Sequence, residues 1–270
     1  MFEKEIREAA SILSKSTRAS ASCGAGVSAE SGIATFRDAG GIWDRIDPAE
    51  VGTPSGLINT LEREAPKLVP LFIEILDSFE SAEPNPGHRA LADLEAMGIL
   101  KTVITQNADN LHQEAGTTDV IEVHGNLFRM KCLACESIRK YERKPLIREV
   151  KERMAGLNSF NLTALASLAP RCDGCGFMMR PDVVMFTEPV QDLPRAFAVA
   201  AGCDVMLVLG TSGVVYPAAY LPREAKKSGA AIIVINPTEN PFESVTDIYI
   251  PMKTGEVLPA IVKMIREKAV

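Results

Sequence analysis

Four short runs of consecutive apolar and β-branched residues recur along the chain, and helical patterns separate them. The apolar runs cover residues 100–105, 120–123, 205–209 and 231–235. Strands that are covered on both faces have this continuous pattern, because neither row of side chains meets water. Apolar residues at helical spacing cover residues 88–97, 192–201, 218–228 and 256–268. This alternation of strands and helices predicts an α/β fold built on a doubly wound parallel sheet.

Composition limits the classes of function. With 270 residues, 46% of them hydrophobic, the chain can bury one substantial core. Its net charge of −6 gives no basic surface of the kind that neutralises nucleic-acid phosphates, so we expect no direct nucleic-acid partner. Charges interrupt the N-terminal sixteen residues, which read as an amphipathic helix, and no apolar run approaches the roughly 20 residues that cross a bilayer. We therefore expect a cytoplasmic protein that has no membrane partner.

Four of the six cysteines form two Cys-x-x-Cys pairs, Cys132 with Cys135 and Cys172 with Cys175. Two such pairs supply four thiolates to one tetrahedral ion, which is the usual structural zinc site, although redox pairs are the alternative. Between the pairs, residues 139–169 break the alternation of strands and helices. We predict a helical insertion there, within a small second module.

Glycines and polar residues follow two of the predicted or possible strands. Gly24, Gly26 and Gly32 lie in Gly-Ala-Gly-Val-Ser-Ala-Glu-Ser-Gly, where glycine would let backbone amides approach a pyrophosphate, although a simple tight turn explains the same residues. Gln106, Asn107 and Asp109 directly follow the run at 100–105. Ligands bind at the carboxyl ends of parallel strands, so these side chains are candidates for holding a ribose and an amide. A helix cap at Asn107 or Asp109 is the alternative.

The chain has three histidines, and His124 is the candidate general base. It directly follows the run at 120–123, and Gly125 leaves room for a substrate to approach it. A core histidine that bonds to the backbone is the alternative. His88 and His112 lie in helical contexts, where we expect surface or capping roles.

Three further motifs lie late in the chain. Two of them, Gly210-Thr211-Ser212 and Asn236-Pro237, each follow a predicted buried strand and therefore belong to the ligand-binding edge of the sheet. The third is Arg-Pro-Asp-Val-Val-Met-Phe-Thr-Glu at residues 180–188. Each motif taken alone could be an ordinary turn.

In this order, the motifs resemble those of the sirtuin family over residues 9–265. The resemblance implies a Rossmann-like NAD-binding part (residues 1–37, 85–127 and 180–270), a cofactor loop with helices (38–84) and a zinc module (128–179). It implies NAD as co-substrate, zinc as a structural ion and acylated-lysine proteins or peptides as partners.

The resemblance also assigns site residues. The positions implied to contact NAD are Gly24, Ala25, Gly26, Ser28, Thr35, Phe36, Arg37, Gln106, Asn107, Asp109, Gly210, Thr211, Ser212, Asn236 and Glu239. Those implied to contact the acylated peptide are Phe72, Ile75, Val184, Phe186 and Val215.

The reaction that the resemblance implies is NAD-dependent protein-lysine deacylation, with His124 and Asn107 as the catalytic residues. The acyl oxygen attacks the ribose anomeric carbon as nicotinamide leaves, which gives an alkylimidate. His124 then deprotonates a ribose hydroxyl, and free lysine and O-acyl-ADP-ribose follow. ADP-ribosyl transfer, NAD hydrolysis and a non-catalytic NAD-sensing role are the alternatives.

Departures from the family pattern bear on the acyl group. Thr35 resembles the branch that includes desuccinylases, yet Phe72 and Ile75 stand where that branch has its Tyr-x-x-Arg. Neither side chain pairs with a carboxylate, so we expect acetyl or longer apolar acyl groups and poor activity on succinyl-lysine. Ala108 replaces a larger aliphatic residue, and Thr187 stands where Phe-Gly-Glu is usual.

Overall fold

A computed structural model describes residues 2–36, 41–157 and 161–268. The strands in this part of the chain are β1 (Ala19–Cys23), β2 (Leu100–Thr105), β3 (Val120–Glu122), β4 (Gly125–Cys132), β5 (Ile138–Lys140), β6 (Met179–Val183), β7 (Val205–Leu209), β8 (Ala231–Ile235) and β9 (Ile248–Ile250). The helices are α1 (Glu3–Leu13), α2 (Gly26–Ala29), α3 (Pro48–Val51), α4 (Pro54–Ser81), α5 (Pro86–Ala96), α6 (Leu111–Glu114), α7 (Arg143–Ala155), α8 (Leu162–Ala166), α9 (Leu193–Gly202), α10 (Leu221–Lys227) and α11 (Thr254–Lys268). Short 3₁₀ turns cover Ile42–Asp44, Ala218–Tyr220 and Glu243–Val245.

The larger sheet has six strands in the order β3-β2-β1-β7-β8-β9, and every neighbouring pair is parallel. The chain builds outward from β1 to β3 on one side and from β7 to β9 on the other. The strand order therefore reverses between β1 and β7, which is where doubly wound folds bind ligands. The predicted α/β fold is confirmed.

Helices cover both faces of this sheet. Apolar residues of α1, α5 and α11, such as Leu13, Leu91 and Ile261, pack with one face. Residues of α9 and α10, such as Ala196 and Leu221, pack with the other. The strand β7 is buried along its whole length, as its unbroken apolar sequence predicts.

A smaller sheet has the order β5-β4-β6, and both of its strand pairs are antiparallel. Its own core joins Phe128, Met130 and Met179 to Leu146 and Ile147 of α7. The expected insertion at 139–169 contains α7 and α8, so it is mainly helical. Burial alternates along β4, as is typical of an antiparallel strand with one covered face. Such a strand has no unbroken apolar run, so the sequence criterion used for the other strands did not predict it.

Proline explains two of the differences between the predicted and the observed helix boundaries. The expected helix at 218–228 is a 3₁₀ turn followed by α10, whose first turn contains Pro222, a residue without an N–H to donate. Helix α5 begins at Pro86, two residues before the expected start, and the Asn85 side chain caps it by accepting from Gly87 N at 2.9 Å. The boundaries of the three parts of the chain stay a prediction.

Across residues 2–36, 41–157 and 161–268, no helix combines the length and apolar character that crossing a membrane requires.

Candidate functional site

The loops that follow β1 and β7 touch backbone to backbone. A Cβ built on Gly24 would lie 2.7 Å from Gly210 O, and one built on Gly26 would lie 2.8 Å from Gly210 Cα. Gly26 N donates to Gly210 O at 2.8 Å. All three positions therefore require glycine, which explains two motifs that are weak signals separately. The contact lies at the point where the strand order reverses.

The loop after β2 joins this contact through side chains. Asn107 Nδ2 donates to Gly24 O and to Ser28 Oγ, each at 3.1 Å. Ser28 Oγ donates to Asp109 Oδ2 at 2.6 Å, and Asp109 is only 4% exposed. Its other oxygen accepts at 2.9 Å from the backbone nitrogen of Leu111, the first residue of α6, whereas Asn110 occupies the N-cap position. The Asp109 side chain therefore bonds to the first turn of α6, and its expected contact with NAD stays a prediction.

The loops after β7 and β8 are joined by Asn236. Its side-chain amide donates to Glu239 O at 2.8 Å and to Thr211 O at 3.3 Å. Thr211 and Asn236 are buried, whereas Ser212 and Glu239 are exposed. Gln106 Nε2 lies 3.4 Å from Thr211 Oγ1, which brings the β2 and β7 loops together.

His124 lies between β3 and β4, at the same edge of the sheet. Its Nδ1 is 3.1 Å from Gln106 O. A carbonyl oxygen only accepts, so Nδ1 carries the proton in the neutral ring and Nε2 is the atom able to take one. Burial lowers the pKa of His124, and the hydrogen bond to Gln106 O opposes that effect. The imidazole is therefore neutral and basic at neutral pH.

The prediction of surface or capping roles for His88 and His112 is wrong. The two rings pack together with centroids 4.8 Å apart, and both residues are buried. His88 Nε2 lies 3.4 Å from Ser28 Oγ, directly behind the Asp109 loop. His88 lies three residues before the buried Leu91 on α5, and this helical spacing was the available signal.

The segment after β6 lies against His124. Val184 N donates to His124 O at 2.9 Å, and Phe186 N donates to Gly52 O at 2.8 Å. Of the other expected peptide-contacting residues, Val215 is half-buried after β7, and Phe72 and Ile75 are half-buried on α4.

Sequence reasoning missed Trp43, which connects the segment containing Thr35 and Phe36 with Phe186. Its ring centroid lies 5.3 Å from that of Phe36 and 6.1 Å from that of Phe186. Its backbone nitrogen donates to Phe36 O at 3.0 Å, and Ile42 N donates to Thr35 O at the same distance. The expected NAD contact Arg37 lies outside the described residues.

The four knuckle cysteines converge on one point. The Sγ atoms of Cys132, Cys135, Cys172 and Cys175 all lie within 4.8 Å of one another. Zinc–sulfur bonds of about 2.3 Å in a tetrahedron place neighbouring sulfurs about 3.8 Å apart, so the four thiols fit zinc. A zinc ion held there would join the far ends of β4 and β6.

The comparisons with known proteins agree with this geometry. The Sir2 family model matches residues 24–217. The chain is 59% identical over 266 residues to an NAD-dependent protein deacylase of Desulfosudis oleivorans, which covers 98% of this chain and 97% of the relative. It is 46% identical to an NAD-dependent protein deacylase of Pyrococcus furiosus, with 97% and 98% covered.

Solved structures give the same result. A complex of a Sir2 homologue with NAD has a TM-score of 0.79 and 36% identity, and covers 98% of this chain and 95% of that one. A Sir2 protein bound to a myristoylated histone peptide has a TM-score of 0.71 and 36% identity, with 99% and 98% covered. On sequence and structure together, the chain belongs to the Sir2, or sirtuin, family.

Proposed function

We propose that this chain is an NAD-dependent protein-lysine deacylase. The observation that carries the proposal is the placement of His124, whose Nδ1 is held by Gln106 O and whose Nε2 is left to accept a proton. It lies at the sheet edge where the loops after β1, β2, β7 and β8 meet. Relatives named NAD-dependent protein deacylases that match almost the whole chain support the same function.

We assign the NAD contacts to the loops at this edge. The close contact of Gly24 and Gly26 with Gly210 holds the loops after β1 and β7 together, and we assign the pyrophosphate to the loop that follows β1. Asn236 and Thr211 suit the adenosine half, and Asp109 suits the carboxamide. Asn107 has its amide nitrogen held by Gly24 O and Ser28 Oγ, so its side-chain oxygen is the atom we assign to the nicotinamide ribose.

The reaction breaks the bond between nicotinamide and the ribose as the acyl oxygen bonds to the anomeric carbon. His124 then accepts the proton of a ribose hydroxyl, whose oxygen attacks the imidate carbon. General-base assistance of this kind typically raises the rate about 10²–10⁴-fold. It is most effective when the pKa of the base lies near the working pH, as the pKa of an imidazole does. The lysine amine then leaves with the proton that His124 accepted, and a water molecule from solvent adds to the acyl carbon, which gives O-acyl-ADP-ribose.

We propose acetyl or longer apolar acyl groups as the substrates. Phe72 and Ile75, half-buried on α4, offer a carboxylate no ionic partner, and an unpaired charge is costly to desolvate. The structural relative that holds a myristoylated peptide supports an apolar pocket in this family. Rates on acetyl, myristoyl and succinyl versions of one peptide test this, and a preference for succinyl would contradict it.

We place the protein in the cytoplasm, because four thiolates that bind one zinc ion need a reducing compartment. Acylated-lysine proteins are its proposed partners.

ADP-ribosyl transfer and NAD hydrolysis also break the bond between nicotinamide and the ribose. Neither reaction transfers an acyl group to the ribose hydroxyl, which is the step that we assign to His124. A non-catalytic NAD sensor would release no nicotinamide at all. Nicotinamide release from NAD, measured with an acylated peptide and with its free-lysine form, separates these functions. We expect release only with the acylated peptide, whereas equal release with both would contradict deacylation.

A further inference from the structure

Arg129, on β4, contacts three acceptors from three separate segments of the chain. Its guanidinium donates to Asp182 Oδ2 at 2.7 Å, to Glu122 Oε2 at 2.5 Å and to Gln191 Oε1 at 2.9 Å. The side chains of Arg129, Glu122 and Asp182 are only 18%, 9% and 10% exposed. We call Arg129 with these three partners the arginine cluster. Solvent screens such an enclosed ion pair much less than one on the surface.

Second hydrogen bonds close the arginine cluster. Gln191 Nε2 donates to Asp182 Oδ1 at 2.8 Å, so two of the partners of Arg129 also hold each other. Glu122 Oε1 accepts from Gln113 at 2.8 Å and from Asn126 at 2.5 Å. The carboxylates are therefore fixed by amide groups as well as by the guanidinium.

The backbone around His124 lies between members of the arginine cluster. Gln191 N donates to Val123 O at 3.0 Å, and Val184 N donates to His124 O at 2.9 Å. A Cβ on Gly125 would lie 1.8 Å from Asp182 O, so the strands approach closely at this point. Each of the three residues 123–125 thus contacts Asp182, Gln191 or a close chain neighbour of Asp182.

The ladder between β4 and β6 is interrupted where Arg129 lies. Asn126 pairs with Asp182, but Met130 pairs with Pro181, so four steps along β4 match one along β6. Bulges leave residues without ladder partners and bend the strand, and they are common near active sites. The Arg129–Asp182 side-chain bond spans this gap and connects the zinc end of β4 with its His124 end.

Charge balance supports a fixed guanidinium. Burial opposes the charge of Arg129, yet the hydrogen bond that Arg129 donates to Asp182 and the charge of Glu122 raise the pKa of Arg129 above its ordinary value. The cation therefore stays with the two carboxylates.

We propose that Arg129 is a positioning residue for His124, which fixes the turn between β3 and β4 against the segment that begins at Val184. This inference rests on the proposed function, because it assigns to Arg129 the alignment of the proposed base. It concerns the second half of the reaction. Cleavage of NAD by the acyl oxygen does not use His124, whereas transfer of the acyl group to the ribose hydroxyl does.

Two readouts separate the halves of the reaction. Exchange of labelled nicotinamide into NAD in the presence of an acylated peptide reports the reversible cleavage. Formation of the free-lysine peptide reports the whole sequence. A general loss of folding or of NAD binding lowers both.

The first variant is Arg129→Lys, which keeps the cation near Glu122 and Asp182 but has no planar fork for three acceptors. Misplacement by about 1 Å can reduce a rate about 10²-fold, so we expect formation of the free-lysine peptide to fall about 10- to 100-fold. Nicotinamide exchange should stay within about 2-fold, since the cleavage step needs no base here. The matched control is Arg139→Lys. Arg139 lies on β5, in the same sheet as Arg129, and pairs with Asp173; the side chains of Arg139 and Asp173 are 50% and 79% exposed. The control should change neither rate.

A double variant tests whether Arg129 acts through His124. In the His124→Ala background, Arg129→Lys should change the remaining product formation by less than about 2-fold, because coupled residues are non-additive. Asp182→Asn, which removes one charge of the arginine cluster but keeps the side-chain shape, should repeat the split between exchange and product formation. It serves as the second test where Arg129→Lys yields little folded protein.

Three outcomes would overturn the proposal: equal loss of exchange and product formation in both variants, no loss of either, or full additivity with His124→Ala. Failure of the proposed function is a different result. In that case the unsubstituted protein shows no acyl-dependent exchange, before any variant is compared.

Discussion

His124 lies where burial and one hydrogen bond together determine its charge. Burial lowers its pKa below the ordinary value of about 6.5, and the bond to Gln106 O offsets part of that effect. The base is active when neutral, so kcat/KM should decrease at acidic pH, and the midpoint of that decrease should lie below pH 6.5. A limb at or above pH 7 would contradict the assignment of His124 as a buried neutral base.

Removal of the imidazole tests the same residue directly. His124→Ala should lower formation of free-lysine peptide by about 10²–10⁴-fold, the usual contribution of a general base. NAD binding, measured by calorimetry, should be retained because the NAD-contacting residues proposed here lie in other loops. A variant with normal turnover would contradict the role of His124.

Thr187 adopts a conformation that suits glycine. Its φ is +76°, and the turn is held by Glu188 N donating to Met185 O at 3.0 Å and by Met185 N donating to the Glu188 carboxylate at 2.9 Å. A β-branched residue in the left-handed region costs about 1–2 kcal/mol. Thr187→Gly should therefore raise the free energy of unfolding by about 1 kcal/mol, measured by urea titration.

The matched control for Thr187→Gly is Thr163→Gly. Thr163 lies within α8, where glycine in place of threonine lowers helix stability by about 0.3 kcal/mol. Equal effects of both substitutions on the free energy of unfolding would show that the strain at Thr187 is absent.

At the scale of elements, helices α5 and α6 are joined by the contact between the rings of His88 and His112. Burial lowers the pKa of His112 to about 4. The pKa of His88 is lowered mainly by burial, and the charge of His112 adds to this effect. Unfolded histidines bind protons below about pH 6.5 while the folded pair stays neutral. The stabilisation is therefore complete above pH 6.5 and is lost as the pH falls.

This linkage gives a measurable effect. His112 alone should contribute a loss of about 2 kcal/mol in the free energy of unfolding between pH 7 and pH 5. His112→Phe should remove that share of the pH dependence, as followed by denaturant titration at the two pH values. An unchanged pH dependence in this variant would contradict a neutral buried His112.

Strands β4 and β6 are antiparallel, and both connect the cysteine knuckles with the site. We expect one zinc per chain, and Cys175→Ser should abolish it and lower the melting temperature, measured by metal analysis and thermal unfolding. Cys203→Ser is the control, since Cys203 is buried beside Ala200 O and far from the knuckles in sequence. Retention of zinc in the Cys175 variant would contradict the four-thiolate site.

The elements differ in how far the sequence predicts them. The strands β7 and β8 were predictable because their side chains are apolar on both faces, and β2 was predictable because apolar and β-branched residues dominate it despite the exposed Lys101. Strand β1 has the sequence Ala-Ser-Ala-Ser-Cys, and its small polar side chains hide full burial from any apolar criterion. Strands β4 and β6 pair across the long insertion between the knuckles, so neither turn length nor local periodicity indicates their register.

The candidate site shows the same limit. The glycines and strand-end polar residues carry local signals, and His124 is identified by its place after a strand and before Gly125. The contact of Arg129 with Asp182 joins residues 53 positions apart, and the ring contact of His88 with His112 joins two helices. Contacts of this kind depend on the packed fold and leave no local pattern.

At the scale of the whole molecule, the two sheets are joined through His124. The large parallel sheet ends at Glu122 of β3 and the small antiparallel sheet begins at Gly125 of β4. The proposed base therefore lies at the junction, between the loops of the large sheet that we propose bind NAD and the segment that begins at Val184. From this placement we expect NAD and the acylated peptide to meet at His124.

The most direct test is the identity of the sugar product. Mass spectrometry of a reaction containing NAD and an acetylated peptide should show nicotinamide, free-lysine peptide and O-acetyl-ADP-ribose in equal amounts. Acyl transfer to a ribose hydroxyl activated by His124 predicts this product. Free ADP-ribose formed with the acetylated peptide left intact, or ADP-ribose attached to protein, would contradict it.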